Sequence, residues 1–303
     1  MRATLLAALL ALTALLLPGA ATAERQTLGY GRIFNNDLIG DGLDRWRTGS
    51  YTWSLIRGPG WQGRAPARPG QVMEYRFHTE IIAPSRLNGT GSRDRRYAGI
   101  HSLGAHTHVA RGPFDLAFGA DLVFTGPQTG IDDAQAWVHD RTDAPRMGVR
   151  EWQIGDGAHL HGTLEAARPV VLQGAIFRPF AELQHGVEDL GRIGVDWMVG
   201  DILSDGLLLR DSVTGHLVRG IEGAVTGLGF VGGLDVTRIS ESLYLPAGGV
   251  ATLAEERLRV RAGVHWQAAA DVSFFYGLTY LGEEFEEQTE GQVLGSLKLN
   301  FAF

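Results

Sequence analysis

Gln292 to Phe303 reads QVLGSLKLNFAF. Val293, Leu297, Leu299, Phe301 and Phe303 share one parity, and Ser296, Lys298, Asn300 and Ala302 take the other. Successive side chains of a strand point to opposite faces, so this segment builds one apolar and one polar face. The split recurs upstream. Met73, Tyr75, Phe77 and Ile81 oppose Glu74, Arg76, His78 and Glu80, and Leu116, Phe118 and Leu122 oppose Asp115 and Asp121. Leu258, Val260, Val264 and Trp266 oppose Arg257, Arg259, Arg261 and His265, and Val272, Phe274, Tyr276, Leu278 and Tyr280 oppose Asp271, Ser273 and Thr279. A soluble sandwich with its charges outside would show the same alternation. Tyr and Trp at strand ends favour a membrane wall, where such rings sit at the headgroup level.

Segments of about ten residues with this alternation are the signature of a transmembrane β-barrel, and an even strand number is expected of one. The strands are expected near 28–35, 49–57, 71–82, 99–110, 113–125, 157–167, 170–184, 190–200, 216–238, 257–268, 271–284 and 291–303. The fold class is therefore all-β, a closed antiparallel transmembrane barrel of about twelve strands. A last strand ending on Phe303 resembles the closing strand of bacterial outer-membrane proteins. Short links at Arg111-Gly112-Pro113, Arg168-Pro169 and Ala269-Ala270 suit periplasmic turns. With the N-terminus periplasmic, 36–48, 83–98 and 126–156 become outer loops on one rim. The stretches 58–70 and 201–215 are too long for such turns.

Met1 to Ala23 reads as a cleaved signal peptide, with Arg2, an apolar run over Ala3–Leu17 and the small-residue site Ala21-Thr22-Ala23. Residues 24–303 are then the barrel domain, placed in the outer membrane. Of the 303 residues, 34 are acidic against 27 Lys and Arg, a balance that argues against nucleic-acid binding. The 42 glycines suit turns and a tightly curved sheet. With no cysteine, neither a disulfide framework nor a thiolate metal site is available. Oligomeric state is not written in the composition.

Chemistry is sought in the loops. DLVFTGPQTGIDDAQAWVHD, Asp121 to Asp140, begins as a strand, breaks at Gly126-Pro127 and Gly130, and delivers His139 in an irregular loop over the barrel mouth. A histidine takes a proton from water at neutral pH. Asn36-Asp37 follows the first strand, and Asp44-Arg45-Trp46-Arg47-Thr48-Gly49 leads into the second. Asn and Asp oxygens are hard donors suited to calcium, and they are also ordinary loop residues. His106, His108, His159 and His161 form two His-x-His pairs on lumen faces, either metal ligands or solvated lining. No Gly-x-Ser-x-Gly nucleophile elbow occurs, which leaves water as the attacking group.

On Asn36-Asp37, Asp44-Arg45 with Thr48-Gly49, Asp94-Arg95-Arg96-Tyr97-Ala98-Gly99, Gly126-Pro127 with Gly130, Gln135, His139 and the last strand, the chain resembles the lipid A 3-O-deacylase (LpxR) family. The resemblance implies a twelve-stranded enzyme that hydrolyses the 3'-linked acyloxyacyl ester of lipid A, in the lipopolysaccharide of the outer leaflet, with calcium. It makes His139 the base that activates water, Asn36 and Asp37 the cation and oxyanion site, and Thr48 their polar neighbour. The family pattern has a Glu a few residues after the histidine, where this chain has Pro145, with Asp140 and Asp143 the nearby carboxylates. The alternatives are a non-catalytic pore, binding or structural barrel, and a phospholipase on the same scaffold.

Overall fold

The computed structural model describes residues 24–88, 94–142, 147–223, 225–270 and 272–301. The expected signal peptide, Phe303, Pro145 and Asp143 lie outside these. In chain order the strands are β1 (Gln26–Asn36), β2 (Trp46–Gly58), β3 (Met73–Ala83), β4 (Ala98–Arg111), β5 (Phe114–Thr125), β6 (Gly157–Ala167), β7 (Val170–Leu172), β8 (Ala175–His185), β9 (Glu188–Val199), β10 (Leu207–Arg210), β11 (Leu217–Ile221), β12 (Gly227–Ser242), β13 (Glu256–Ala269), β14 (Val272–Leu281) and β15 (Gln292–Phe301), with one α-helix, α1 (Ile131–His139).

Twelve of these strands form a closed antiparallel wall; β7, β10 and β11 are additional short strands. The ring closes where β15 meets β1 at Phe34↔Leu297 and where β6 meets β8 at Gly162↔His185. The alternation read in the sequence becomes an apolar exterior and a charged interior. Leu228, Phe230, Leu234 and Val236 on β12 are exposed, while Asp235 beside them is buried with Arg259 and Arg261 of β13. That is the reverse of a soluble sandwich, and it matches a wall bathed in hydrocarbon. No helix among the described residues is long and apolar enough to cross a membrane.

Two links differ from expectation. Leu172 pairs with Ala175, and the turn between them uses Gln173 at φ 50° and Gly174 at φ 82°. Two consecutive positive φ values match the twist of a two-residue hairpin, so the reversal falls here and not at Arg168-Pro169. The expected strand 216–238 is two elements. Its first part, β11, pairs only with β10, and this hairpin packs inside the barrel. Leu207, Leu209, Leu217, Val218 and Ile221 form one buried cluster with Ile33, Ile56 and Phe275 of the wall. A Cβ on Gly29 would stand 2.2 Å from Gly220 O, so the wall is glycine where the plug backbone presses on it. Trp61 donates its indole N–H to Asp205 O at 2.7 Å. The long stretch 201–215 thus leads into and forms the first part of the plug, and 58–70 supplies its brace.

Polar pairs line the rest of the lumen. Arg178 bridges Glu165 at 2.6 Å and Asp196 at 3.3 Å, Arg192 meets Glu182 at 2.8 Å, and Arg210 meets Asp196 at 2.7 Å. His106 faces Asp121 and His108 faces Glu74, each at 3.0 Å. Among the described residues, no three or more His, Asp or Glu side chains are gathered as a metal site, and His106 and His108 each sit beside one carboxylate of the lumen lining.

Candidate active site at the rim

The first, second and third long loops, 37–45, 84–97 and 126–156, leave the barrel at one end, as hairpin parity requires. Gly126 and Gly130, at φ 87° and 66°, flank a short turn and hand the chain to α1. Helix spacing puts Ile131, Gln135 and His139 on one buried face. The seat for that face is Gly99, whose added Cβ would lie 2.9 Å from Ile131 Cβ. Gly99 has the parity of His101 and Leu103, and Leu103 is 58% exposed, so this is the outward face of the wall. The His139 segment is therefore a helix seated on the outer side of the rim, not an irregular loop over the mouth. Tyr97 OH donates to Gln135 Oε1 at 2.9 Å and pins the helix.

The mouth itself is lined by other groups. Ile82, Ile100, Val123, Ile154, Val187 and Tyr244 pack together there. Arg47 reaches Glu80 at 2.6 Å and Glu284 at 2.5 Å, and Arg95 also pairs with Glu284.

Of the residues singled out in the sequence, Asp37, Thr48 and His139 converge. Thr48 Oγ1 lies 3.0 Å from Asp37 Oδ1 and 2.7 Å from Asp44 Oδ1, and His139 Nε2 lies 3.4 Å from Asp44 Oδ2. Asp44 is the member that sequence reasoning did not assign, although it stood in the quoted motif. Its only signal was position, four residues before Thr48 across a turn. Asn36 flanks the group. Its carboxamide oxygen accepts the Leu38 N–H at 2.8 Å, closing the turn that carries Asp37.

Asp37 is 1% exposed, and that burial pushes its carboxyl up to about 7. The Arg45 N–H and the Thr48 hydroxyl pull the other way, while Asp44 and Asp41 push it further up. Thr48 has one proton for two carboxylates, so a protonated Asp37 donates to Thr48 Oγ1, which donates to Asp44. The loop is held rigidly beside them. Trp46, at a left-handed φ of 53°, donates its indole N–H to Asp94 Oδ2 at 3.0 Å and carries the Arg45 guanidinium 4.1 Å above its ring. A bulky residue in that region is strained, and it is kept there by the packing around it.

A calcium ion would find only part of a shell here. Asp37, Asp44 and the Thr48 hydroxyl offer oxygen donors, and the buried, underneutralised Asp37 fits a cation in type and charge. With no three carboxylates or histidines gathered among the described residues, the remaining ligands must come from main chain, water or substrate.

These features define a class: a plugged twelve-stranded barrel of outer-membrane type, with a histidine–carboxylate cluster on the outer side of one rim. No family model and no curated protein matches the chain. Among solved structures, LpxR from Salmonella typhimurium superposes with a TM-score of 0.75 at 15% identity, covering 91% of this chain and 100% of that one. A NanC porin gives 0.45 at 5% identity over 91% and 100%, and the beta domain of the Bordetella autotransporter BrkA gives 0.44 at 12% over 91% and 99%. The chain therefore has an LpxR-like fold.

Proposed function

We propose that this protein is an outer-membrane lipid A 3-O-deacylase that opens the 3'-linked acyloxyacyl ester with a histidine-activated water. The observation that carries the reading is the Asp37–Thr48–Asp44–His139 chain of contacts, assembled on the outer side of the rim, where a lipid of the surrounding leaflet has access. The LpxR-like fold and the sequence resemblance support it.

In this mechanism His139 keeps its Nε2 proton toward Asp44, and Nδ1 takes a proton from water as the water oxygen attacks the ester carbonyl. Asp44 fixes that tautomer and steadies the imidazolium that forms. Collapse of the tetrahedral intermediate breaks the bond to the 3'-oxygen, and the imidazolium returns its proton to that oxygen. The products are a free acyloxyacyl acid and a 3'-hydroxyl. Calcium held at Asp37, with Asn36 beside it, would supply positive charge to the developing oxyanion.

A pore is disfavoured by the plug and the ion-paired lumen. A phospholipase shares the chemistry and differs in the lipid cut. Mass spectrometry of lipid A and phospholipids from cells expressing wild type or His139→Ala separates these readings. Loss of one acyloxyacyl group from lipid A with wild type alone is expected. A folded wild-type barrel that leaves lipid A intact overturns the proposal, and cleavage of phospholipid alone moves it to the other lipid.

A further inference from the structure

Helix α1 has a second face that the chemistry does not use. Ala134, Trp137 and Val138 of α1, continued by Arg141 just past its C-terminal end, form one exposed stripe beside the buried face. Trp137 is 58% and Val138 46% exposed. This exposed stripe is carried by a helix that itself lies outside the wall. The apolar exterior carried by Leu103 and Leu122 runs along β4 and β5 toward the same rim. Leu38 and Leu43, in the loop that brings Asp44 to His139, are exposed at 72% and 44%. The lipid-facing surface of the barrel thus continues past the strand ends onto α1 and its neighbour loop.

The stripe ends in a cation. The Arg141 guanidinium stacks 4.2 Å above the Trp137 ring and donates to Trp137 O at 3.1 Å. An indole topped by a guanidinium suits the headgroup layer, with the ring at the acyl boundary and the charge among phosphates. A short helix with one apolar face and a basic end lies in such an interface. We propose that the outer stripe of α1 is a docking surface for phosphate-bearing lipid of the leaflet around the barrel, anchoring the helix that carries His139 at headgroup depth. The inference requires that the barrel lie in a bilayer, not that it be a hydrolase, so it stands or falls separately from the deacylase reading.

The chain contains no cysteine, so Val138→Cys and Asp140→Cys each accept a single nitroxide label. Refolding is checked by heat-modifiable migration, and the barrel is placed in phosphatidylcholine vesicles with or without phosphatidylglycerol. The label at 138 is expected to be relaxed more by oxygen than by an aqueous nickel chelate, and the label at 140 the reverse. Phosphatidylglycerol is expected to deepen the label at 138, and Arg141→Glu to remove that shift. Equal aqueous accessibility at both positions overturns the proposal. So does shielding of position 138 from both reagents, which would mean that protein covers the stripe. A shift that survives Arg141→Glu overturns the phosphate contact. If Val138→Cys does not fold, Ala134→Cys on the same stripe gives the same reading.

Discussion

Asp44 accepts from Thr48 on one oxygen and meets His139 on the other, so its loss should act through the histidine. Asp44→Asn presents an N–H to a ring nitrogen that needs an acceptor. Deacylation should fall roughly 10- to 10³-fold in kcat with little change in KM, less than for a fully buried triad carboxylate because Asp44 is partly exposed. His139→Ala should cost about 10²- to 10⁴-fold, and the double variant should be no worse, since the two act as one unit. Additive losses in single-turnover assays would separate them. Asp37 gives a pH signature. Its carboxyl is raised to about 7 from an ordinary 3.8, so between those values the folded state holds a proton that the unfolded chain releases. With chelator present, this contribution lowers stability as pH rises from about 4 to 7, and Asp37→Asn removes it, a difference that paired thermal melts read directly. The sequence named His139, Asp37 and Thr48 because histidine and loop oxygens in that order resemble a known pattern. It could not choose among Asp41, Asp44, Asp140 and Asp143 for the partner carboxylate, since that depends on how the 37–45 loop folds back.

Seen as an element, α1 is a nine-residue helix held by side contacts more than by its own propensity, since helices this short are marginal in water. Its seat is testable at Gly99. A Cβ there would meet Thr129 Oγ1 at 2.8 Å and Ile131 Cβ at 2.9 Å, so Gly99→Val must push the helix off the wall. The strand ladder from Gly99 to Ile81 tolerates valine, so the barrel should fold and migrate normally. A displacement of about 1 Å at His139 can cost on the order of 10²-fold in rate. Wild-type deacylation by a folded Gly99→Val barrel would show that the seat does not position the histidine. The wall strands were legible because alternation at period two survives any packing detail. The helix was not: two glycines and a proline, Gly126, Pro127 and Gly130, precede a segment with one buried turn-to-turn row, Ile131, Gln135 and His139, too short to stand out. The plug strand misled for a related reason. Leu217, Val218 and Ile221 are as apolar as a wall strand, and only pairing distinguishes an inner hairpin from an outer one.

At the scale of the whole barrel, charge gathers at one end and the hairpin occupies part of the other. Burial pushes the Glu284 carboxyl up, but Arg47, Arg95 and Arg257 together outweigh it and hold the group well below its ordinary 4.5. Such a carboxylate contributes stability that is complete above about 4.5 and is lost as pH falls below it. Glu284→Gln should flatten the acid limb of the thermal melt while leaving behaviour above pH 6 almost parallel to wild type, offset by a constant loss from the unpaired arginines. The hairpin makes a sharper demand. Leu209 and Leu217 lie in a buried cluster with Ile33, Ile56 and Phe275, so β10 and β11 take up the β1, β2 and β14 side of the lumen, and the cavity left beside them is lined by ion pairs such as Arg178–Glu165 and Arg210–Asp196. Wild type in a planar bilayer should therefore conduct far less than a barrel without its hairpin. Replacing 203–221 with a short Gly-Ser link should open a steady conductance, because the wall pairs only with itself and β10 pairs only with β11. If that deletion does not fold, Gly220→Val tests the same point, since a side chain there meets Leu209 Cγ at 2.9 Å and Ile56 Cδ1 at 3.1 Å and must loosen the plug. Steady channels from wild type of the same size as those from the deletion would mean that the hairpin does not narrow the lumen, and would return the pore to consideration.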